Sequence, residues 1–361
     1  MPITINIIGC GIIGATIAYE LSRLDHRFEI TVYDAAQPAQ ASTGAALGVL
    51  MGVISQKVKG QAWHRRAESI QRYYDLIPEL EELTGLKIPY NSQGIFKLLT
   101  PEADLAKWKQ LAATRTEQQW QLEIWEPSQI SAQLPQINPE LIGQAIYSPQ
   151  DLQIDPIALT QALVAAARLN GVKFHFDRQI DSITATNPLT CDLSNPHFPT
   201  LTSDWIIVTA GLGSTNLLAP LAPIEINPVL GQAIHLRRSQ PLGNPDFQPV
   251  ISYEDVQIVP CGNHEYWIGA TVEFPVDGTV VAQAESLAKI KQIAFDLCPD
   301  LAQGEILRTW TGLRPRPHQR PAPVVEQVGE NRRVLVATGH YRNGILLAPA
   351  TARLVKEMLN V

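Results

Sequence analysis

Three glycines near the N-terminus have the GxGxxG spacing that binds the pyrophosphate of a dinucleotide. Gly9 permits a tight turn, Gly11 lets a phosphate approach the backbone, and Gly14 allows a helix to pack closely on a strand. The free N–H groups at the start of that helix attract phosphate charge. Asp34 follows 20 residues after Gly14, where a carboxylate binds ribose hydroxyls and repels a 2′-phosphate. The pattern predicts a dinucleotide site and leaves FAD and NAD both open.

A loop of small residues and hydroxyls, ASTGAALG at residues 41–48, follows this acid. Its small side chains allow it to lie flat against a bulky planar ligand, with Ser42 and Thr43 donating to a phosphate or a ring carbonyl. Taken alone, the loop is more typical of an ordinary surface loop. Because NAD enzymes have no general need for such a segment, it favours FAD.

Two arginines lie in separate segments that are rich in glycine and proline. Arg314 precedes Pro315 and is expected just after a strand, whereas Arg342 lies between Gly339 and Gly344. A guanidinium presents a planar donor fork that matches a carboxylate, so two such forks would fix an amino or hydroxy acid over a ring. The alternative is that each arginine has a structural partner at the surface.

The elements expected around these residues are strands and helices at both ends of the chain, with strands between. We predict strands at residues 3–9, 28–34, 94–100, 172–177, 205–211, 231–237, 256–260, 266–273 and 334–338. We predict helices at residues 12–24, 60–85, 101–119 and 156–170, and a terminal helix to residue 359 that begins between Gly344 and Ala348. The strands between 231 and 273 have no long helix between them, which indicates an antiparallel sheet.

This order predicts an α/β fold, α+β overall, with a discontinuous Rossmann-like domain into which mostly antiparallel material is inserted. We assign residues 1–87, 142–220 and 308–361 to the cofactor-binding domain. Residues 88–141 and 221–307 are assigned to the substrate-binding domain. The last strand and helix are expected to pack back on the first domain.

The composition excludes several classes of protein. Of the 361 residues, 45% are hydrophobic and 17% charged, which is typical of an ordered globular protein. The net charge is −7 and the basic residues are scattered, so no nucleic-acid partner is expected, and the group at residues 64–66 is interpreted as a solvated helix face. Four distant cysteines without metal-ligand spacing predict reduced thiols and no metal. With no export segment and no apolar run of about 18 residues, we expect a cytoplasmic protein without membrane contact.

Four segments together resemble the FAD-dependent D-amino acid oxidase and sarcosine oxidase family, in its glycine oxidase branch. They are GIIGATIAYEL (11–21), ASTGAALG (41–48), WTGLRP (310–315) and GHYRNGILLAPAT (339–351). The likeness spans nearly the whole chain in order, and the last segment is the most specific. It implies a cofactor domain of the glutathione-reductase type that binds FAD, and an antiparallel substrate domain over the flavin.

The resemblance also implies an activity. A small amino acid or amine, such as glycine, sarcosine or a D-amino acid, would lose a hydride from its α-carbon to the flavin without a dedicated side-chain base. The imine would hydrolyse to the oxo acid and ammonia, and oxygen would reoxidise the flavin to give hydrogen peroxide. Some members of this branch deliver glycine imine to thiazole synthesis for thiamine. A homo-oligomer is left open.

Site residues are implied by position in the family. Beside the glycines of the first motif, the residues that would contact FAD are Ile12, Ile13, Asp34, Ala35, Ser42, Thr43, Leu47, Gly48, Val49, Ile180 and Gly211. The residues that would border the isoalloxazine are His340, Tyr341, Arg342, Asn343, Gly344, Ile345 and Leu346. Arg314 and Arg342 would bind the substrate carboxylate.

The chain departs from the family at two positions. Glycine oxidases carry a histidine just before an Ile-Val-Pro segment and, two residues later, a tyrosine that assists the carboxylate, whereas this chain has Asp255 and Gln257. Glycine as the preferred substrate is therefore open. Asp255 would either favour a basic or bulkier amine or remain solvated at the mouth of the pocket.

Three other functions stay open at this point. A flavin dehydrogenase would pass electrons to a quinone or protein instead of oxygen. A flavin-binding subunit or redox sensor would bind the cofactor without turnover, and the presence of both Arg314 and Arg342 weighs against it. An NAD dehydrogenase would explain the first motif and none of the last.

Overall fold

The structure is a computed structural model that describes residues 2–24, 27–186, 188–193 and 200–360. Its helices are α1 (Ile12–Ser22), α2 (Gln61–Thr84), α3 (Leu105–Glu117), α4 (Pro127–Gln133), α5 (Pro156–Leu169), α6 (Ser214–Leu218), α7 (Ala284–Leu297) and α8 (Gly344–Met358). The first ten strands are β1 (Ile3–Ile8), β2 (Phe28–Tyr33), β3 (Val49–Leu50), β4 (Tyr90–Asn91), β5 (Ile95–Leu99), β6 (Glu123–Trp125), β7 (Gln144–Ser148), β8 (Leu152–Ile154), β9 (Lys173–His175) and β10 (Ile180–Thr184). The others are β11 (Leu189–Leu193), β12 (Leu201–Ser203), β13 (Trp205–Val208), β14 (Ile226–Arg237), β15 (Val250–Tyr253), β16 (Val256–Pro260), β17 (Glu265–Gly269), β18 (Glu305–Pro317), β19 (Val324–Val328) and β20 (Val334–Thr338).

A six-stranded sheet carries the predicted nucleotide-binding motif. Its strand order is β19-β20-β13-β1-β2-β9, parallel throughout except for the antiparallel edge strand β19. Buried strands of this kind read as continuous apolar runs, which is why the sequence predicted them. The helices α1, α2, α5 and α8 contribute to one hydrophobic core with β1 and β2. As predicted, the last strand and helix return to the first domain.

An eight-stranded sheet forms the second layer. Its order is β18-β14-β17-β16-β15-β5-β7-β6, and every pair is antiparallel except β5 with β15. Helix α7, which the sequence reading did not predict, buries Ile290, Ala294 and Leu297 in the core of this layer. The predicted fold class, an α/β cofactor domain with antiparallel material inserted, is confirmed.

One local prediction was wrong, and it concerns a site residue. Arg314 does not follow a strand but lies inside β18, which pairs with β14 over its whole length. Gly312 and Pro315 look like strand terminators in the sequence. β18 is an edge strand, however, where a proline without an N–H is tolerated. Since β18 and β7 both belong to the antiparallel sheet, our division into domains, which gave residues 308–361 and 142–220 to the cofactor domain, stays a proposal.

Element ends followed local chemistry where a cap was present. Asp155 accepts hydrogen bonds from the N–H groups of residues 157 and 158 and starts α5 as predicted. Gly85, with a φ of 70°, ends α2. Helix α3 begins only after its own cap, Asp104, four residues later than predicted. Strand β13 stops at Val208 because a short 3-10 turn follows at residues 211–213.

Candidate active site

A cavity of ≈ 910 Å³ opens at the carboxyl ends of the parallel strands. Its walls include nearly every residue to which the sequence assigned a role. The predicted cofactor contacts that line it are Gly9, Gly11, Ile12, Ile13, Asp34, Ala35, Ser42, Thr43, Leu47, Gly48, Val49, Ile180, Gly211, His340, Tyr341, Arg342, Asn343, Gly344, Ile345 and Leu346. The predicted substrate residues Asp255, Gln257 and Arg314 line it as well. Gly14 does not reach the cavity.

The glycine turn after β1 is fixed by close backbone contacts. Gly9 has a φ of 105°, and a Cβ placed there would lie 2.7 Å from the carbonyl carbon of Thr209. A Cβ at Gly14 would lie 1.9 Å from the carbonyl oxygen of Gly9, so α1 packs against the turn itself. Thr43 accepts a hydrogen bond of 3.0 Å from the N–H of Ile12 and thereby caps the helix from a different loop.

Asp34 directly follows β2 and lies beside this turn. Its carboxylate accepts hydrogen bonds from the N–H of Cys10, at 2.5 Å, and from the N–H of Ala36, at 2.9 Å. Burial raises the pKa of Asp34, while these two N–H groups oppose the increase. The contacts hold the acid at the wall of the cavity, where a ribose hydroxyl can donate to it.

The small-residue loop lies against β18. Ser42 donates its hydroxyl to the carbonyl of Leu313 at 2.6 Å, and Trp310 donates its indole N–H to the carbonyl of Ala45 at 3.1 Å. A Cβ at Gly312 would lie 2.3 Å from the Cβ of Ala45, so this glycine permits the approach. The hydroxyl that we expected to reach a ligand therefore connects the two layers.

The segment after β20 turns sharply before α8. Gly339 and Tyr341 both have positive φ angles, 66° and 54°, and a Cβ at Gly339 would lie 2.6 Å from Pro317. Helix α8 starts at Gly344, within the range predicted from the sequence, and its N-cap residue makes no side-chain hydrogen bond to the helix. His340 is buried and bonded through Nε2 to the Thr351 hydroxyl at 2.9 Å. Burial and the nearby positive charge of an arginine lower the pKa of His340 to about 3, so its imidazole is neutral.

Arg314 is held rigidly in the wall of the cavity. Its Nη1 donates to the carbonyl oxygens of Leu230, at 3.1 Å, and Thr271, at 3.0 Å. A Cβ at Gly231 would lie 2.4 Å from Nη2, so only glycine leaves room for the guanidinium there. Desolvation, followed by the positive charge of Arg342, lowers the pKa of Arg314. A buried cation whose pKa is lowered in this way gains most from an anionic ligand.

Arg342 and Asp255 mark the open side of the cavity. Their closest side-chain atoms, Nη1 and Oδ1, are 4.0 Å apart, and 85% of the Asp255 side chain is exposed. Gln257 lies deeper and donates weakly to the Ser252 hydroxyl at 3.4 Å. Within the described residues, its side-chain oxygen has no hydrogen-bond partner.

Residues 4–358 match the protein family described as FAD dependent oxidoreductase. The chain belongs to this family. It is similar to the glycine oxidase of Geobacillus kaustophilus, with 27% identity over 98% of this chain and 92% of that protein. It is also similar to the bifunctional protein ThiO/ThiG of Synechocystis sp., with 30% identity over 98% of this chain and 51% of that longer protein. The crystal structure of the Geobacillus kaustophilus glycine oxidase superimposes with a TM-score of 0.88 at 25% identity, covering 99% of this chain and 95% of that one.

These similarities confirm the predicted family and its glycine oxidase branch, and they make FAD the cofactor. The cavity of this FAD-dependent oxidoreductase fits such a group. Its volume is near the upper end for ligand pockets, about 1,000 Å³. Gly11 at the start of α1 leaves a cradle, since a Cβ there would lie only 3.0 Å from the Thr43 hydroxyl. A helix N-terminus beside such a cradle suits a pyrophosphate.

The sequence did not indicate which residues support one wall of the cavity. Asp151 supports the segment from Met51 to Ser55, and both end residues of this segment line the cavity. This fully buried carboxylate accepts three hydrogen bonds of 2.8 Å from the N–H groups of residues 52–54. Burial raises its pKa to about 6. No local motif marks the residue, because its partners lie almost one hundred positions earlier.

Arg115 holds the same segment from α3. This buried guanidinium donates to the carbonyls of Val53, Ser55 and Lys57 at 2.7 to 2.9 Å. It also lies 3.5 Å above the ring of Trp63. The wall is therefore fixed between one buried acid and one buried base.

Arg66 corrects a further interpretation. We assigned residues 64–66 to a solvated helix face, and His64 is indeed exposed. Arg66, however, is partly buried and lines the cavity. The helical period of α2 turns it away from His64, a difference that a charge count does not reveal.

In the part of the chain that the structure describes, no cluster of His, Cys, Asp or Glu is arranged to hold a metal ion. Among the same residues, none of the helices has both the length and the apolar character needed to cross a bilayer.

Proposed function

We propose that the protein oxidises the C–N bond of a small amino acid or amine, with glycine, sarcosine and D-amino acids as candidate substrates. The observation that carries this proposal is the position of Arg314, a desolvated guanidinium in the cavity wall. Its neighbour Pro315 accepts the N–H of Tyr341, so Arg314 lies next to the 340–346 segment. A bidentate arginine is the usual anchor for a substrate carboxylate.

In this proposal the cofactor is held along the cavity by the predicted residues. The turn at Gly9 and Gly11 and the first residues of α1 would bind the pyrophosphate, and Asp34 would bind the ribose. Residues 340–346 would border the flavin ring. When bound, FAD would supply the oxidation by accepting a hydride from the α-carbon, and molecular oxygen would then take the electrons from the flavin and become hydrogen peroxide.

The chain's own residues bind and orient the substrate. Arg314 and Arg342 would hold the carboxylate, and orientation of this kind is worth about 7–11 kcal/mol of a barrier. His340 would be a poor general base, because burial lowers its pKa to about 3 and its Nε2 is already bonded to Thr351. In this proposal a neutral amine would lose its hydride without a dedicated base, and the released imine would hydrolyse to the oxo acid and ammonia.

Anaerobic titration of the purified flavoprotein tests the proposal. Glycine, sarcosine or a D-amino acid should bleach the flavin absorbance, and readmitted oxygen should restore it with one hydrogen peroxide per turnover. Recovery only with a quinone or dye would assign a dehydrogenase instead. No bleaching by any amine of the panel would remove the proposed activity.

A further inference from the structure

Arg66 has no acidic partner in the part of the chain that the structure describes. It lies on α2, lines the cavity and is partly buried. Desolvation lowers its pKa, with no opposing effect from a nearby carboxylate. Within the described residues it forms no salt bridge, and its guanidinium donates only to the carbonyl of Ala62, one turn back on its own helix.

Two other partly buried arginines of this chain have clear partners. Arg72, on the same helix, forms ion pairs with Glu20 and Glu79 at 2.8 and 2.7 Å. Arg353, on α8, pairs with Glu68. Desolvating a guanidinium costs free energy that these carboxylates offset. No carboxylate among the described residues offsets the desolvation cost of Arg66, so we expect a bound anion to do so.

The position of Arg66 places it on the substrate side of the cavity. Ile70, one helical turn later on the same face, contacts the wall at Gly52, where an added Cβ would lie 2.6 Å from Ile70 Cγ1. Ser69 accepts the N–H of Ala350 in α8 at 3.3 Å. Arg66 thus lies on the side of the cavity formed by the 51–55 wall, with Ser69 packed against the middle of α8, whereas the phosphate cradle lies at the start of α1.

We propose that Arg66 binds a second carboxylate of the substrate, in addition to the one held by Arg314 and Arg342. The inference rests on the proposed function and narrows its substrate class to amines that carry two carboxylates. Beside Arg178, the guanidinium groups of Arg66, Arg314 and Arg342 line the same cavity, and Arg342 lies 4.0 Å from the exposed Asp255. A single carboxylate satisfies one bidentate pair, which leaves Arg66 for another.

Kinetics of the holoenzyme test this assignment. Glycine and sarcosine serve as one-carboxylate substrates, and D-aspartate and N-(carboxymethyl)glycine as two-carboxylate substrates. The wild type should prefer the second group in kcat/KM. Arg66→Gln should lower kcat/KM for that group about 10- to 100-fold while changing the first less than about 3-fold, since one charged hydrogen bond contributes about 1.5–3 kcal/mol. Arg66→Lys should keep part of the preference.

Binding provides a readout that is independent of turnover. Calorimetric titration should show that malonate binds the wild type more tightly than acetate does, and that Arg66→Gln removes the difference. Lys59→Gln is the control, because it removes an exposed positive charge just before α2. This variant should retain both the kinetic preference and malonate binding.

The outcomes separate the two proposals. If glycine and sarcosine bleach the flavin but neither two-carboxylate amine is preferred, the amine oxidase activity stands and the role of Arg66 is wrong. If Arg66→Gln instead weakens FAD binding or shifts the flavin spectrum equally for every substrate, Arg66 contacts the cofactor and the inference is overturned. If no amine bleaches the flavin, the proposed function fails, and malonate binding alone decides whether the anion site exists.

Discussion

The two ends of the cavity differ in the groups that form them, which are close backbone contacts at one end and charged side chains at the other. At the cofactor end, Gly9 and Gly14 leave room for backbone contacts that a single added carbon would break. At the end that we propose for the substrate, charged side chains line the cavity, and one of them, Arg66, has no acidic partner among the described residues. In the proposed function, backbone shape would hold the cofactor, whereas side-chain charge would select the substrate.

The largest effect is expected from breaking the cofactor end. Gly14→Ala would place a Cβ 1.9 Å from the Gly9 carbonyl oxygen, and rigid backbone cannot yield as a flexible side chain does. The variant should lose most of its FAD and about 1–3 kcal/mol or more of stability, measured as flavin content and Tm. Gly213→Ala is the control, because its Cβ would make only an ordinary 3.7 Å contact. Full flavin occupancy in Gly14→Ala would show that the turn tolerates expansion.

The next largest effect is expected from Arg314, the proposed anchor of the substrate carboxylate. Arg314→Met should retain the flavin spectrum but lower kcat/KM about 10²- to 10³-fold for every carboxylate substrate, because two or more charged hydrogen bonds are lost. Steady-state kinetics measure it. Arg308→Met, on the same strand and stacked on Trp310, should leave the rate nearly unchanged. A loss below about 3-fold in Arg314→Met would contradict the carboxylate assignment.

The wall between the two ends should respond to pH. Asp151 titrates near 3.8 in the unfolded chain and at about 6 in the folded one, so the folded state holds an additional proton between these values. Its contribution to stability is therefore fully present below about pH 4 and is lost by about pH 6, a change of roughly 3 kcal/mol.

Asp151→Asn should abolish this dependence while lowering stability overall, since an amide cannot accept all three backbone N–H groups. Urea unfolding at several pH values between 4.5 and 7 measures the difference between the variant and the wild type. Asp104→Asn, which removes a carboxylate at an exposed helix N-cap but keeps an oxygen that can cap the helix, should keep the wild-type slope. Parallel pH profiles for Asp151→Asn and the wild type would place the titration elsewhere.

The smallest effect should come from the mouth of the cavity. Asp255 is highly exposed and 4.0 Å from Arg342, so their attraction is worth less than about 1 kcal/mol and is screened by salt. Asp255→Asn should change kcat/KM for glycine less than about 5-fold and should mainly reduce any preference for a cationic amine such as D-lysine. Glu254→Gln, its exposed neighbour, is the control. A large, salt-independent loss for glycine would mean that Asp255 contacts the substrate directly.

The cofactor end could be predicted from the sequence because its constraints are local. A tight turn needs glycine wherever it occurs, and β1, α1 and β2 follow one another within 34 residues. The family resemblance supplied the residues of the 340–346 segment, and all of them line the cavity.

The substrate end could be predicted only in part. Arg314 and Arg342 were named, but the strand around Arg314 was missed because Gly312 and Pro315 normally end strands. Asp151 and Arg115 act through partners that are distant in the chain, and nothing in their immediate neighbours indicates this. The cavity position of Arg66 depends on how α2 is rotated, which the tertiary packing decides.

Strand pairing itself is part of the active site. Gly231 of β14 and Gly312 of β18 face each other in the ladder, the first leaving room for Arg314 and the second for Ala45. A slip of one residue would exchange the faces of β18 and move both glycines away from the groups they accommodate. A misregistered chain would keep its hydrogen-bonded sheet but lose the present positions of both Arg314, the proposed carboxylate anchor, and the loop at residues 41–48. Activity therefore requires the correct register between β14 and β18.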